Sequence, residues 1–315
     1  MTVDVLILFH AVLKTAIPIA AGFIAAKLGM FDGEFSKKIS ALILKICQPV
    51  LIITSIMSVE YSRENLMTGL SVLLATLVAH LIMFAAAFGA SRPIKDRKER
   101  AVSEYCMIFA NAGFFGFPVV KSIYGDVGLF WGGFYYIIFN AALWSYGQFV
   151  FSRGADDGKI NWKKILLNAG TVPCAAGFIL YLTRIRIYAP VFEAFQTLGD
   201  ICAPVSMMII GAMLARTKLK KLVTTGSTWY SAALRLVVFP LICGLSVKLL
   251  GFGNDISMFI VIMTSLPMAT ASAMFADTYD VMPELAARNV GVSTLLSVGT
   301  IPLTAWLASL LMNLF

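Results

Sequence analysis

The chain has only two histidines, His10 and His80, too far apart in sequence to imply a zinc or catalytic cluster. Its five cysteines (Cys47, Cys106, Cys174, Cys202, Cys243) fall inside apolar segments. No pair has metal-ligand spacing and no disulfide framework is implied, so they read as small packing residues. Charge is scarce: 13% of 315 residues are Asp, Glu, Lys or Arg, against 59% apolar residues, which excludes an ordinary soluble domain. No nucleophile elbow, P-loop or Rossmann glycine pattern stands in its required strand–helix setting. Gly128 and Gly132 form a GxxxG, which in an apolar bundle reports close helix packing. With no nucleophile–base pair and no metal cluster to assemble, an enzyme is not expected, nor is a cofactor or metal.

What the chain has instead is long apolar runs. Ten lie near 4–26, 37–58, 65–91, 101–121, 127–151, 164–183, 190–214, 229–250, 255–276 and 286–312. Each is about 20 residues, enough to cross a roughly 30 Å hydrocarbon core as a helix. The first lacks a basic flank and a small-residue cleavage site, so it is expected to be a span and not a cleaved signal. The sequence therefore predicts an all-α polytopic protein in a lipid bilayer.

The net charge of +8 raises the question of nucleic acid, but its placement answers differently. Lys27, Lys37 and Lys38 fall between runs one and two, and Arg92, Lys95, Arg97, Lys98 and Arg100 between three and four. Arg153, Lys159, Lys163 and Lys164 follow run five, Arg216, Lys218, Lys220 and Lys221 follow run seven, and Arg288 precedes run ten. The opposite side holds Arg63, Lys121, Arg184, Arg186 and Lys248. Basic loops face the cytoplasm, so both termini are expected outside a cytoplasmic membrane, and no nucleic-acid partner is needed.

Two short segments recur at an offset of 155 positions. PIAAGFI at Pro18–Ile24 returns as PCAAGFI at Pro173–Ile179, and ICQPV at Ile46–Val50 returns as ICAPV at Ile201–Val205. Ten of these twelve positions are identical, against a chance expectation of about one in twelve. Duplication of a five-helix unit places the second copy upside down, which gives a 5+5 inverted repeat. The expected units are 1–152, a short cytoplasmic linker at 153–161, and 162–315.

Run four is poorly suited to a continuous helix, with Asn111, Gly113, Gly116 and Pro118 in mid-membrane. Run nine, its counterpart by order, carries Pro267 among the hydroxyls of Thr264, Ser265, Thr270 and Ser272. Backbone freed by a break must face protein, water or ligand. Paired interruptions of an inverted repeat point to a binding site, where half-helix N-termini favour an anion such as a carboxylate. Phe114 and Met268 complete the expected lining, and Gln48 and Ser55 on one face of run two are further candidates. Lys14 and Lys45 read as snorkelling lysines. His80 and Arg235, also 155 apart, are expensive at such depth and are candidates for balancing substrate charge. No carboxylate is placed at mid-membrane, so no proton relay is legible.

At these residues the chain resembles the auxin efflux carrier family, within a superfamily of bile acid/sodium symporter-like transporters. The resemblance rests on Asn111, Gly116, Phe117, Pro118 and Tyr124-Gly125, then Leu266-Pro267, Phe275-Ala276, Tyr279, Val281 and Pro283. Ile301-Pro302 and Pro49-Val50 also fit. It implies a ten-helix carrier with broken crossover helices four and nine and a scaffold of helices one, two, six and seven. It also implies an organic-anion substrate such as indole acetate, malate or malonate, and a homodimer. The chain departs from plant members in lacking a long hydrophilic loop after helix five and a second proline near Thr270–Ala273. The expected function is secondary transport of a mono- or dicarboxylate by alternating access, the broken helices moving against the scaffold like an elevator. An anion channel and a membrane-embedded ligand sensor are the alternatives. Proton coupling, sodium coupling and uncoupled transport stay open.

Overall fold

The computed structural model describes residues 5–155, 170–216 and 226–314. Most of the linker at 153–161, the start of run six and the basic residues Lys218, Lys220 and Lys221 lie outside the described residues. So do the side chains of His10 and Lys37. The described residues form helices α1 (Val5–Lys27), α2 (Gly33–Ile56), α3 (Arg63–Ser91), α4 (Arg97–Ile108) and α5 (Ala112–Gly154). There follow α6 (Thr171–Thr183), α7 (Ala189–Ala215), α8 (Gly226–Leu249), α9 (Asn254–Ser265), α10 (Ala271–Tyr279) and α11 (Pro283–Met312). Six of them (α2, α3, α5, α7, α8 and α11) are long and apolar enough to cross a membrane. Ala16–Lys27 of α1, α6 and α9 are shorter apolar helices.

Polar ends start these helices where the sequence supplies an acceptor. Asp32 accepts from Phe35 N at 2.7 Å ahead of α2, Ser62 from Asn65 N at 3.0 Å ahead of α3, and Asp96 from Glu99 N at 2.7 Å ahead of α4. Three wide π turns, Ile43–Cys47, Ala112–Gly116 and Leu234–Val238, each run directly into an X-Pro pair: Gln48-Pro49, Phe117-Pro118 and Phe239-Pro240. Proline has no N–H to give and its ring crowds the carbonyl four residues earlier. Widening the turn upstream relieves that clash without ending the helix.

The fourth and fifth apolar runs are read from sequence as separate segments, and within α5 they are two helical arms that meet at a one-residue kink. Gly125 has φ 62° and ψ −140°, a conformation that glycine alone adopts readily. It divides α5 into an arm ending at Tyr124 and a longer arm starting at Asp126.

Glycines set the closest helix contacts. Gly22 of α1 lies on the backbone of Met208 in α7, and Gly211 of α7 lies on the carbonyl of Ile19 in α1. Gly177 of α6 packs on the Cα of Ile53 in α2, where an added Cβ would stand 3.2 Å away. Gly22 with Met208 and Gly177 with Ile53 are the same contact displaced by 155 positions. The thiols of Cys47 and Cys202, another pair at that offset, meet between α2 and α7. Close backbone approach of this kind is what small residues provide in a bilayer. Gly22→Val is therefore expected to destabilise the protein by about 2–3 kcal/mol. Gly89→Ala, inside α3 with nothing within 4 Å of the added methyl, should not destabilise it and should add up to about 1 kcal/mol. Thermal unfolding of the two purified variants checks this.

Candidate functional site

Two helices stop inside the protein and resume without turning back. α4 ends at Ile108 and α5 begins at Ala112, while α9 ends at Ser265 and α10 begins at Ala271. The unwound residues are extended, with φ −99° and ψ 123° at Phe109 and φ −62° and ψ 154° at Leu266. They cross as an antiparallel bridge between Ala110 and Met268. Asn111 N donates to Pro267 O at 2.8 Å and Ala269 N donates to Phe109 O at 2.9 Å. Met268 N finds the Ser293 hydroxyl at 3.0 Å. Each broken segment thus satisfies part of the other's buried backbone.

The two following helices start beside one cavity of about 70 Å³. Its lining includes Gln48, Asn111, Gly113, Phe114 and Thr270 among the residues singled out from sequence. It also includes Leu44, Ala110, Ala112, Tyr136, Phe139, Leu143, Ala269 and Ala271. Asn111 caps α5, its Oδ1 accepting from Phe114 N at 3.4 Å. Its Nδ2 is buried and has no hydrogen-bond partner. Gln48 Nε2 donates to the Tyr136 hydroxyl at 2.7 Å, a bond that leaves the phenolic proton free to donate. A methyl on Gly113 would overlap the Gln48 carboxamide, so glycine there keeps α2 and the crossing in contact. The cavity therefore offers the N-terminal ends of two helices, an unused amide and a phenol, with an apolar wall of Leu44, Phe139 and Leu143. That set suits a small anion.

The other sequence candidates lie outside this lining. Gly116 presses on Leu266 and Met263, where an added Cβ would stand 3.0 and 3.1 Å away, so it serves the crossing itself. Pro118 sits in the first regular turn after the π turn, and Pro267 lies in the break, its carbonyl holding Asn111 N. Met268 is buried at the bridge. Ser265 donates to Ile262 O at 2.9 Å and Thr264 to Ile260 O at 2.6 Å, so both hydroxyls are used by their own helix. Ser55 and Ser272 are buried with unpartnered hydroxyls, Ser272 beside Cys106. Lys14 and Lys45 are exposed.

Behind the crossing, Arg235 is 0% exposed and is the largest fully buried side chain among the described residues. Its Nη1 lies 3.9 Å from Met83 Sδ, while Nε and Nη2 have no partner. It faces Tyr135, Cys243, Cys106 and His80. His80 Nδ1 lies 2.8 Å from Thr76 O, and since a carbonyl only accepts, that nitrogen carries a proton; Nε2 is buried without a hydrogen-bond partner. The His80 ring packs 6.1 Å from Phe139, which lines the cavity, so one aromatic layer separates the two.

Sequence reading missed Tyr136, because one tyrosine in an aromatic-rich helix reads as core. Glu104, which sequence reading does not single out, is a fully buried carboxylate. Glu104 accepts from Ser91 at 3.1 Å, from Tyr146 at 2.9 Å and from Arg153.

A helical protein with several membrane-length apolar helices, and two helical breaks that cross beside a cavity carrying a few polar groups, falls in the class of membrane transporters. Residues 7–305 match the family described as membrane transport protein, the auxin efflux carrier family, and the chain belongs to it. It is similar to the uncharacterized transporter YfdV of Escherichia coli K12, 24% identical over 302 residues, covering 92% of this chain and 94% of that one. An uncharacterized transporter of Methanothermobacter thermautotrophicus is 25% identical over 298 residues, covering 93% and 96%. The uncharacterized transporter MJ1031 of Methanocaldococcus jannaschii is 22% identical over 313 residues, covering 94% and 97%.

Proposed function

We propose that the protein is a secondary carrier of a small organic anion, a mono- or dicarboxylate, bound where the two broken segments cross. The observation that carries this reading is the pair of helix starts at Asn111 and Thr270, which flank one cavity beside an unpartnered Asn111 amide. Aligned peptide dipoles make each start a partial positive charge, which holds a carboxylate without a fully charged side chain in the cavity. Arg235, buried in the neighbourhood of His80 and Tyr135, adds a whole positive charge to this part of the bundle.

In this reading the chain crosses the cytoplasmic membrane ten times as two inverted five-helix units, with both termini outside. α4 with the first arm of α5, and α9 with α10, each count as one broken span. Support comes from the contacts that recur at offset 155 and from the bridge, whose residues Ala110 and Met268 stand 158 positions apart. α1, α2, α6 and α7 form the scaffold, through which two copies pair. Gln48 belongs to that scaffold, and Asn111 and Thr270 belong to the crossing. The cavity thus lies between fixed and moving parts, where alternating access would open it to each side in turn.

Uptake into proteoliposomes across labelled mono- and dicarboxylates, with proton and sodium gradients imposed separately, tests the proposal. Pro267→Ala should cut saturable uptake by about tenfold, since alanine lets α9 continue through the break and dissolve the bridge. Saturation with no unitary currents is expected. Single-channel currents would make the cavity a pore, and ligand binding without flux would make it a sensor.

A further inference from the structure

A second cavity, of about 300 Å³, opens at the end of the bundle that carries the basic loops. Phe88, Arg92, Arg97, Arg100, Glu104 and Arg153 line it, together with Ser91 and Ala101. Glu104 is the one carboxylate in this lining and is already held by Arg153, Ser91 and Tyr146. The other three guanidinium groups are held in place but not neutralised by it. Arg97 Nε donates to Arg153 O at 2.7 Å, Arg100 Nε donates to Ile94 O at 2.8 Å, and Arg92 lies over the Phe88 ring at 4.3 Å. Carbonyls and a ring face orient a guanidinium without cancelling its charge. The lining therefore carries four positive charges against one negative. A planar fork with several donors matches the oxygens of a phosphate.

An apolar track reaches the same cavity. On α3, Leu74, Leu77, Leu81 and Phe88 are exposed, by 53%, 40%, 56% and 39%. Their spacings of three, four and seven residues put them on one face of the helix. Phe88 belongs both to this stripe and to the cavity lining. Phe149, also exposed, lies beside Arg153, whose guanidinium is 5.7 Å from its ring. A free phosphate has no use for such a stripe, whereas an acyl chain does.

We propose that this cavity binds the headgroup phosphate of an anionic phospholipid, with an acyl chain lying along Leu74, Leu77 and Leu81. The lipid supplies the counter-charge that Arg92, Arg97 and Arg100 lack among the described residues. Its phosphate sits between α3, α4 and the end of α5, the helices that hold one half of the crossing.

The test uses the full chain in phosphatidylcholine nanodiscs with increasing phosphatidylglycerol, read by thermal unfolding and by lipid retention in native mass spectrometry. A saturable rise in the unfolding midpoint and at least one retained phosphatidylglycerol are expected. Arg97→Gln with Arg100→Gln should weaken the apparent affinity about tenfold. Lys95→Gln with Lys98→Gln, which removes equal charge from the same loop outside the lining, should leave it within about twofold. Arg92→Gln breaks no hydrogen bond of the fold, so it keeps the test open if the double arginine variant misfolds; alone it should weaken binding about threefold. Equal losses in the lysine and arginine variants would reduce the effect to general surface attraction and overturn the site. Equal stabilisation by millimolar inorganic phosphate would overturn the lipid assignment, and no retained lipid would overturn both.

Discussion

Asn111→Ala is expected to reduce initial uptake by about 30-fold while the protein reaches the membrane at normal abundance. Asn111 Nδ2 is buried and has no hydrogen-bond partner among the described residues, so its donor is uncommitted within the fold. A hydrogen bond to a charged acceptor is worth about 1.5–3 kcal/mol, and losing about 2 kcal/mol is a factor of about 30. The backbone role of Asn111, donating to Pro267 O, survives the substitution, so the crossing should remain. Oδ1 also caps the start of α5, and loss of that cap should cost about 1 kcal/mol of stability. Asn111→Asp separates the two functions. It keeps the cap but places a carboxylate where the anion binds, and it should transport less than the alanine variant. Uptake kinetics and thermal unfolding of both variants decide the matter. Asn111→Ala with unaltered KM and maximal rate would remove the amide from the site.

How far the sequence reveals this arrangement depends on whether a residue's use is set by local chemistry or by a distant partner. The crossing was legible because glycine and proline act on their own backbone: the Asn111–Pro118 and Pro267 regions break wherever they are placed. Even so, the unwound residues are Phe109 to Asn111, ahead of the glycines, and Pro118 stands where a missing N–H is nearly harmless. The repeated segments are legible in the sequence alone, and Gly22 on Met208 and Gly177 on Ile53 are contacts at the same offset. The side chains around the cavity were not. Ser265 and Thr270 look equivalent in sequence, but one hydroxyl bonds back to Ile262 while the other residue lines the cavity. Tyr136 joins through Gln48, 88 positions away, a contact no spacing rule reaches. Glu104 looks like the end of a span and is buried only because Arg153 and Tyr146 return to it along α5.

Arg235→Met is expected to raise thermal stability and to impair transport, a combination that an ordinary core substitution does not give. Burial of a guanidinium carries an effective desolvation penalty of several kcal/mol, and replacing buried charges by apolar residues of similar volume often stabilises by about 1–4 kcal/mol. No carboxylate of the described residues offsets that cost: Arg235 Nε and Nη2 are unpartnered, and buried Glu104 is taken by Arg153. Methionine keeps much of the stem's packing against Met83 while removing the charge. The compensating benefit, in the proposed carrier, comes when the cavity fills. By Coulomb's law, two unit charges about 10 Å apart interact by about 1.5–2 kcal/mol at an effective dielectric of about 20, or roughly 15-fold in affinity. KM for the transported anion should therefore rise by about that factor, while binding of its neutral amide analogue should not change. Arg235→Lys, which retains the charge, should recover most of the affinity. If Arg235→Met unfolds at lower temperature than the parent, the residue acts as structural support. If it gains stability and transports normally, the charge plays no part in substrate binding. Only a gain in stability together with a charge-selective loss of affinity fits a cation kept unpaired in the membrane for an anion that comes and goes.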